Sequence, residues 1–461
     1  MHPTITFFSG LNTIGGTHVL IGCGEDAILF DYGARPSAHY DWLNPAVHME
    51  LPRGLRQHLL TRKAPPVFPL YDPAYLGDLS YEDVIQNAWD GMQFPRYKRV
   101  SAFVSHIHQD HMELLPFLGE QVDLYMHRDS VSVYDGVVAS GEWYGTRANI
   151  IGLADGEERQ LGEGLRIQLR ETDHDIAGAS ALLVTAGGHK ILYTGDWRTH
   201  GRHRDYVERL FADMAEQHLD MIITETTQLK EETLWQKQLP QKELELPGLY
   251  REMLREAQGL CYLNILCRNV ERVADFIKVT KECGRTLVLD RATALLWHTA
   301  ATEGLSHLEG DPVLEETDAI RLFEGEDPSG LPYKTVSLQE IVHHKRDYVF
   351  YLIYPKTPIM AELERTGEQG VPSHYFHADG NPLFAGDKIL HAWLDDFGVR
   401  YHFHGTFGHA IPREITRMMK LAAPKLVATL HGNHPELLDT GEIPKLLPTF
   451  GQTFDLDKLF S

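Results

Sequence analysis

The chain has 461 residues, 43% of them hydrophobic and 23% charged, and a formal net charge of −22. That length accommodates two domains with cores of their own, and the composition is that of an ordinary globular protein. So acidic a balance excludes a protein that coats nucleic acid through bulk electrostatics; a polyanionic substrate would need a local basic path.

The opening residues, Met1-His-Pro-Thr-Ile-Thr-Phe-Phe, contain no basic region followed by a long apolar stretch, and runs such as Tyr348 to Tyr354 are too short to span a bilayer. A cytoplasmic protein without membrane contact is expected. Short apolar runs punctuated by glycine then follow: Val19 to Ile21, Ala27 to Phe30, Ala102 to Val104, Ala181 to Val184, Ile191 to Tyr193 and Met221 to Ile223. They read as strands of sheets covered by helices, with polar residues (Asp31, His106, Asp196, Glu225) just beyond their ends, where α/β folds place their chemistry. The segment between Gly33 and Val100, rich in proline and aromatics, reads as a packing decoration rather than a lid.

Directly after Ala102 to Val104 stands Ser105-His-Ile-His-Gln-Asp-His111. With 26 histidines in the chain and all 65 acidic residues standing in for aspartate, this spacing arises by chance at most about 0.01 times per chain. Strand alternation would put His106 and His108 on one face, and a following turn would swing Asp110 and His111 toward a second ion. His174, Asp196 and His431 complete a candidate ligand set. Arg198, Arg202 and Arg204 are the candidate basic path, with pairing to acidic neighbours as the equal alternative.

Beyond residue 230 the pattern turns helical. Val270, Val273, Ala274 and Ile277 form one stripe that predicts a helix over 269–283, stopped at Gly284 and flanked by strand-like Cys261 to Cys267 and Thr286 to Leu289. Strand, helix and strand in about 30 residues make a parallel unit, hence a second α/β domain. Tyr348 to Tyr354 reads as a further strand, and from 399 the chain returns to strand and site: Val399 to His404, a helix around Pro412 to Leu421, then Leu426 to Leu430 ending at His431. Cys23, Cys261, Cys267 and Cys283 form no CxxC pair and read as reduced core residues.

The order of these motifs resembles the metallo-β-lactamase fold and, within it, the β-CASP branch of nucleic-acid hydrolases, which includes ribonuclease J and the endonuclease subunits that cut messenger-RNA precursors. Gly10-Leu-Asn-Thr-Ile-Gly-Gly16 through Ile28-Leu-Phe-Asp-Tyr-Gly33 is similar to the first hairpins of ribonuclease J. Met221-Ile-Ile-Thr-Glu-Thr-Thr227 is similar to the motif carrying an acidic residue, here Glu225. Asn269 to Arg272 and Gly284-Arg285 resemble the helix and following strand of the inserted domain. Gly405-Thr-Phe-Gly-His-Ala410 resembles the second motif, with His409, and Pro424-Lys-Leu-Val-Ala-Thr-Leu-His-Gly432 the third, with His431.

The resemblance implies an αββα sandwich formed by 1–228 and 399–461, with an inserted α/β β-CASP domain over 229–398. It implies two divalent ions, zinc first and manganese or iron second: one on His106, His108, His174 and Asp196, the other on Asp110, His111, Asp196 and His431. Asp196 would bridge, Asp110 would also serve catalysis, and a His409/Glu225 pair would be the general acid. Asp31 resembles a family residue standing behind the ligands, and His404 and His434 are minor candidates for substrate contact.

The implied activity is phosphodiester hydrolysis of single-stranded nucleic acid. RNA is favoured because RNA-acting members usually carry a histidine in the third motif; a hydrolase of a small phosphodiester, lactone or thioester is the competing reading. Departures are visible. Phe407 and Ile411 stand where ribonuclease J typically has serines that bind a terminal phosphate, with Thr406 a partial substitute, and Asp175 stands where relatives often have serine. The C-terminal domain that aids dimerisation in that family has no counterpart after the third motif, which leaves a homo-oligomer open.

Overall fold

The computed structural model describes residues 2–34, 54–234 and 240–461. Two seven-stranded sheets face each other. The first runs in the order Gln452–Asp455, Thr4–Ser9, His18–Cys23, Asp26–Phe30, Arg99–Phe103, Asp123–His127, Asn149–Leu153, and the second in the order Lys445–Leu446, Leu426–Leu430, Met221–Glu225, His189–Tyr193, Ser180–Ala186, Leu165–Glu171, Glu158–Gly162. Side chains alternate along a strand, so one face of each sheet can be wholly apolar. Ile5, Phe7, Val19, Ile21, Ile28 and Phe30 from the first sheet meet Ile167, Leu169, Leu182, Val184, Ile191 and Ile223 from the second in one buried core.

The opposite faces are covered by helices. On the second sheet, Ala181, Leu183, Leu192 and Ile222 pack against Arg204–Gln217 and Pro412–Ala422 through Val207, Phe211, Met214, Ile415 and Met418. On the first, Leu20, Leu29 and Ala102 pack in a core that includes Val133 and Val137 of helix Arg128–Ala139 and Leu55, Leu59, Val84 and Trp89. The latter group shows that residues 54–89 of the proline-rich segment are a packing layer; 35–53 lie outside the described residues. The architecture is the αββα sandwich.

A third sheet is entirely parallel, in the order Lys334–Val336, Ile320–Phe323, Thr286–Leu289, Tyr348–Tyr351, Cys261–Ile265, His374–Ala378, Arg400–Phe403. Its first crossover is the helix read from the sequence, now bounded as Val270–Glu282, with the Asn269 side chain accepting from the Arg272 N–H at 3.1 Å and all four stripe residues buried. Arg400–Phe403, expected on the return to the first domain, instead pairs with His374–Ala378 at this sheet's edge. Parallel pairing is non-local, so the run's own sequence does not say which sheet it joins.

The third sheet docks on the sandwich where helices Arg128–Ala139 and Arg291–Glu303 touch. A β-carbon at Gly136 would stand 2.8 Å from the Leu296 carbonyl oxygen, so glycine permits that approach. Among the described residues no helix is long and apolar enough to cross a membrane, and all four cysteines are free.

Candidate metal centre

The strand Arg99–Phe103 ends before the histidine motif. His106 and His108 therefore lie on the loop after it, rather than alternating on a strand as expected, and Gln109–Met112 forms a single helical turn that presents Asp110 and His111. The loop's shape comes from Asp31, a buried residue at φ 53 whose Oδ1 accepts the Ser105 N–H at 2.7 Å and whose Oδ2 accepts the Ser105 hydroxyl at 3.0 Å and His111 Nδ1–H at 2.7 Å. Tyr193 donates its hydroxyl to the same Oδ2.

These bonds fix how the imidazoles face. The Ser105 hydroxyl donates to Asp31, so its oxygen accepts from His106 Nδ1 at 3.0 Å. His174 Nδ1 stands 2.6 Å from the Gly408 carbonyl, which can only accept. The Thr227 hydroxyl donates to the His431 carbonyl at 2.9 Å and so accepts from His431 Nδ1 at 2.8 Å. In the neutral rings of His106, His111, His174 and His431 alike, Nδ1 would carry the proton outward and Nε2 would turn its lone pair to the centre. His108 is reversed: its Nδ1 faces inward and its Nε2 lies 3.4 Å from Asp175 Oδ1.

Two sets of donors result. His106 Nε2 and His174 Nε2 each lie 3.1 Å from His108 Nδ1. His431 Nε2 lies 3.2 Å from His111 Nε2 and 3.1 Å from Asp110 Oδ2. Between them stands Asp196 Oδ2, at 3.2 Å from His111, 3.5 Å from His431 and 3.9 Å from His106. Asp196 follows Gly195, at φ 57, where a β-carbon would stand 2.7 Å from Ser105 Cβ. All seven candidate ligands thus come together, and the ligand atoms within each potential metal-holding group lie within 4.8 Å of one another.

This donor set fits divalent cations of zinc type. Tetrahedral zinc with bonds near 2.0–2.1 Å needs donors roughly 3.3 Å apart, close to the separations found. Charge agrees. Burial, with His111, His174 and His108 nearby, holds His106 well below its ordinary value, and burial takes His174 down to about 3, so both stay neutral, the form a ligand requires. Burial opposes ionisation of Asp196, yet His431, His111 and His409 outweigh it and keep this carboxylate well below its usual range. His111 is driven up despite burial by Asp110, Asp196 and Asp31: three carboxylates call for positive charge that a cation would supply.

Beside this centre, Glu225 ends the strand Met221–Glu225. Its Oε1 accepts the Trp197 and Ala410 N–H groups, both at 3.2 Å, and its Oε2 lies 3.1 Å from His409 Nδ1. His409 Nδ1 is also 3.6 Å from Asp196 Oδ2. Burial works against charging His409, but Glu225 and Asp196 raise it to about 9. The adjoining Gly408 is required by packing: a β-carbon there would lie 2.3 Å from His174 Cε1.

Other sequence candidates do not join the site. Arg198 is buried and bonded to Glu243 and the Phe407 carbonyl, Arg202 pairs with Asp275, and Arg204 pairs with Glu208; the basic run is an ion-paired segment. Thr406 is buried, donating to Asp379 Oδ2 at 2.7 Å and accepting from Arg272 at 2.9 Å, which removes it as a phosphate binder. His404 stacks on Phe376, and His434 is exposed beside Glu436. Asp175 was noted in the sequence only as a departure, yet it sits against both His108 and His174, the latter at 3.2 Å. Ser105 and Thr227 went unnoticed because nothing local in the sequence marks a hydroxyl as an imidazole's acceptor.

No protein-family model matches the chain. It is 22% identical over 381 residues to ribonuclease J of Mycoplasma genitalium, covering 77% of this chain and 59% of that protein. It is likewise 22% identical over 390 residues to ribonuclease J of Mycoplasma pneumoniae, covering 77% and 60%. The chain thus spans about three fifths of the length of these curated relatives. Among solved structures, a protein of unknown function from Enterococcus faecalis superposes with a TM-score of 0.77 at 23% identity, covering 98% of this chain and 100% of that one, and so shares its fold. A metallo-β-lactamase fold protein of Bacillus subtilis gives a TM-score of 0.27 at 16% identity over 49% of this chain. The chain is thus similar in sequence to ribonuclease J over about three quarters of its own length, and its paired sheets have the sandwich architecture described above.

Proposed function

We propose that the chain is a dinuclear metal-dependent phosphodiester hydrolase of β-CASP type acting on single-stranded RNA. One observation carries this reading: four imidazoles have their outer nitrogens engaged by acceptors, so that four Nε2 atoms and His108 Nδ1 converge in two sets around Asp196 Oδ2. His106, His108, His174 and Asp196 would hold one cation, and Asp110, His111, Asp196 and His431 the other. Such a pair supplies an activated water at neutral pH and neutralises charge on the phosphoryl oxygens.

The chain's own residues supply the rest. Asp110 and Asp196 bring the negative charge that keeps two cations together. The leaving oxygen must gain a proton as the P–O bond breaks, and His409 would give it, a role supported by its contact with Glu225 and its raised pKa. The similarity to ribonuclease J supports RNA as substrate, and the strands of the third sheet, all drawn from 261–403, support an inserted domain whose last strand, Arg400–Phe403, extends past the expected boundary at 398.

The test combines metal analysis with turnover of end-labelled single-stranded RNA and DNA and of a bis-phosphate ester, with Asp110→Ala as control. RNA cleavage lost in Asp110→Ala is the expected result. Cleavage of the small ester alone would sink the nuclease reading and favour a small-ester hydrolase, which the ion pairing of Arg198, Arg202 and Arg204 leaves as the competing reading.

A further inference from the structure

A second histidine cluster lies at the junction between the sandwich and the third-sheet unit, formed by residues with no part in the proposed reaction. His203 immediately precedes helix Arg204–Gln217 of the sandwich. Glu271 is in the first turn of Val270–Glu282, and His307 lies in the short helical turn Ser306–Leu308. Glu271 Oε1 is 2.8 Å from His203 Nε2 and 3.7 Å from His307 Nδ1, and the two imidazole rings are 4.3 Å apart between centroids.

His307 is the informative member. Both of its ring nitrogens are shielded from solvent, and neither has a hydrogen-bond partner. The nearest further acceptors, Asp129 Oδ2 at 3.9 Å from Nδ1 and Glu171 Oε1 at 3.8 Å from Nε2, are beyond bonding distance and already engaged. Asp129 accepts the Ser306 N–H and hydroxyl, and Glu171 lies 3.2 Å from His127 Nε2. An imidazole whose two nitrogens are both shielded and unsatisfied is rare unless something absent from the protein atoms completes it. Two arginines stand nearby: Arg202 Nε is 3.8 Å from Glu271 Oε1 while its guanidinium pairs with Asp275, and Arg209 reaches Glu171 Oε2 at 3.9 Å. Three carboxylates, Asp129, Glu171 and Glu271, thus surround three imidazoles, His127, His203 and His307, and neither arginine bonds to His307.

The geometry points to a third divalent-cation site, of zinc type, in which His203 Nε2, Glu271 Oε1 and His307 Nδ1 are the protein ligands and water takes the fourth position. Two imidazoles and a carboxylate are donors suited to zinc. The observed separations bracket the roughly 3.3 Å that tetrahedral coordination needs, so side-chain shifts of about half an ångström would close the site. His203 belongs to the sandwich and the other two ligands to the third-sheet unit, so the ion would tie the two together; it is structural and distinct from the dinuclear centre. The ring of His203 is held by its stack on Tyr206, 4.8 Å between centroids at 12°, and the residue's backbone N–H donates to Asp173 Oδ2 at 3.1 Å.

The test is zinc stoichiometry of the full chain after chelation, titration with Zn2+ and removal of free metal. One equivalent should vanish in His307→Ala and in Glu271→Gln and should persist in Asp196→Ala, whose lesion lies in the other centre. This difference holds whatever number of ions the dinuclear centre binds, so failure of that reading and of this one are separable. Unchanged stoichiometry in both junction variants overturns the proposal. A measurement without variants covers the case of misfolding: zinc-edge anomalous diffraction from the unaltered protein at saturating Zn2+ should give a peak bounded by His203, Glu271 and His307, and its absence overturns the site equally.

Discussion

The two histidine clusters differ in what stands behind the ligands. At the proposed dinuclear centre each Nδ1 of His106, His111, His174 and His431 has a dedicated acceptor, from Ser105, Asp31, Gly408 and Thr227 respectively, so the inward orientation of the rings is set by the protein alone. At the junction, His203 has a stacking partner while His307 has no hydrogen bond at either nitrogen. The first is preorganised for a cation by its hydrogen bonds; at the second, the third proposed ligand is positioned by packing alone. Cation binding should therefore be tighter and more sensitive to second-neighbour changes at the first than at the second.

The largest expected effect comes from Asp196, the carboxylate common to both donor sets. Asp196→Ala should lower turnover on the order of 10^3-fold or more, because several kcal/mol of charge stabilisation would depend on the cations proposed to sit on it and each 1.4 kcal/mol is about tenfold. Bound metal should fall with it; full metal content in this variant would remove Asp196 from the bridge. Next is His409→Ala, expected to reduce kcat by roughly 10^2 to 10^4 while metal content stays unchanged. The same residue sets a pH limb. His409 is raised to about 9 by Glu225 and Asp196 against the pull of burial, so the donating form prevails below that pH and activity falls as pH rises through it. Cations on Asp196 would cancel part of that contribution, leaving a limb between the ordinary 6.5 and 9, and Glu225→Gln should move it lower still. A pH–kcat profile with no displacement in Glu225→Gln would sever the pair.

A smaller effect tests the acceptors themselves. Asp31→Asn exchanges a carboxylate that receives His111, Ser105 and Tyr193 for an amide that cannot accept all three on charged oxygens, and metal affinity should weaken roughly 10- to 100-fold with the fold retained. Isothermal titration of the chelated protein measures this, and unaltered affinity would show that the ring orientations hold without Asp31.

Residues of this kind also mark the limit of what the chain alone discloses. The motif His106 to His111 is legible because its spacing is local, and the stripe Val270, Val273, Ala274, Ile277 because a helix has one period. Most core strands were legible too, since buried runs such as Met221 to Ile223 are apolar throughout. Short edge strands such as Glu158–Gly162 and Lys334–Val336 were not, because edge positions tolerate polar, exposed residues. Arg400–Phe403 shows a strand whose existence is local but whose partner is not. Arg198 and Thr406 looked available for a phosphate, and only the buried network through Glu243, Arg272 and Asp379 reveals that both are already engaged.

The smallest effect separates the two states of the junction by the sign of a pH dependence. In chelated protein, burial opposes charging His307, but Glu171, Glu271 and Asp129 raise it above its ordinary 6.5. A group raised on folding contributes stability that is fully present below its unfolded value and is lost as pH climbs through the folded one. The Tm difference between the unaltered chain and His307→Ala, about 1 °C or less in a chain of this length, should therefore shrink as pH rises above 6.5 in the absence of metal. Zinc needs the neutral imidazole, so with Zn2+ added the same difference should grow with pH instead. Parallel trends with and without Zn2+ would mean that His307 acts only as a charged contact between the two units, and the contrast between the clusters would then lie in electrostatics rather than in ligation.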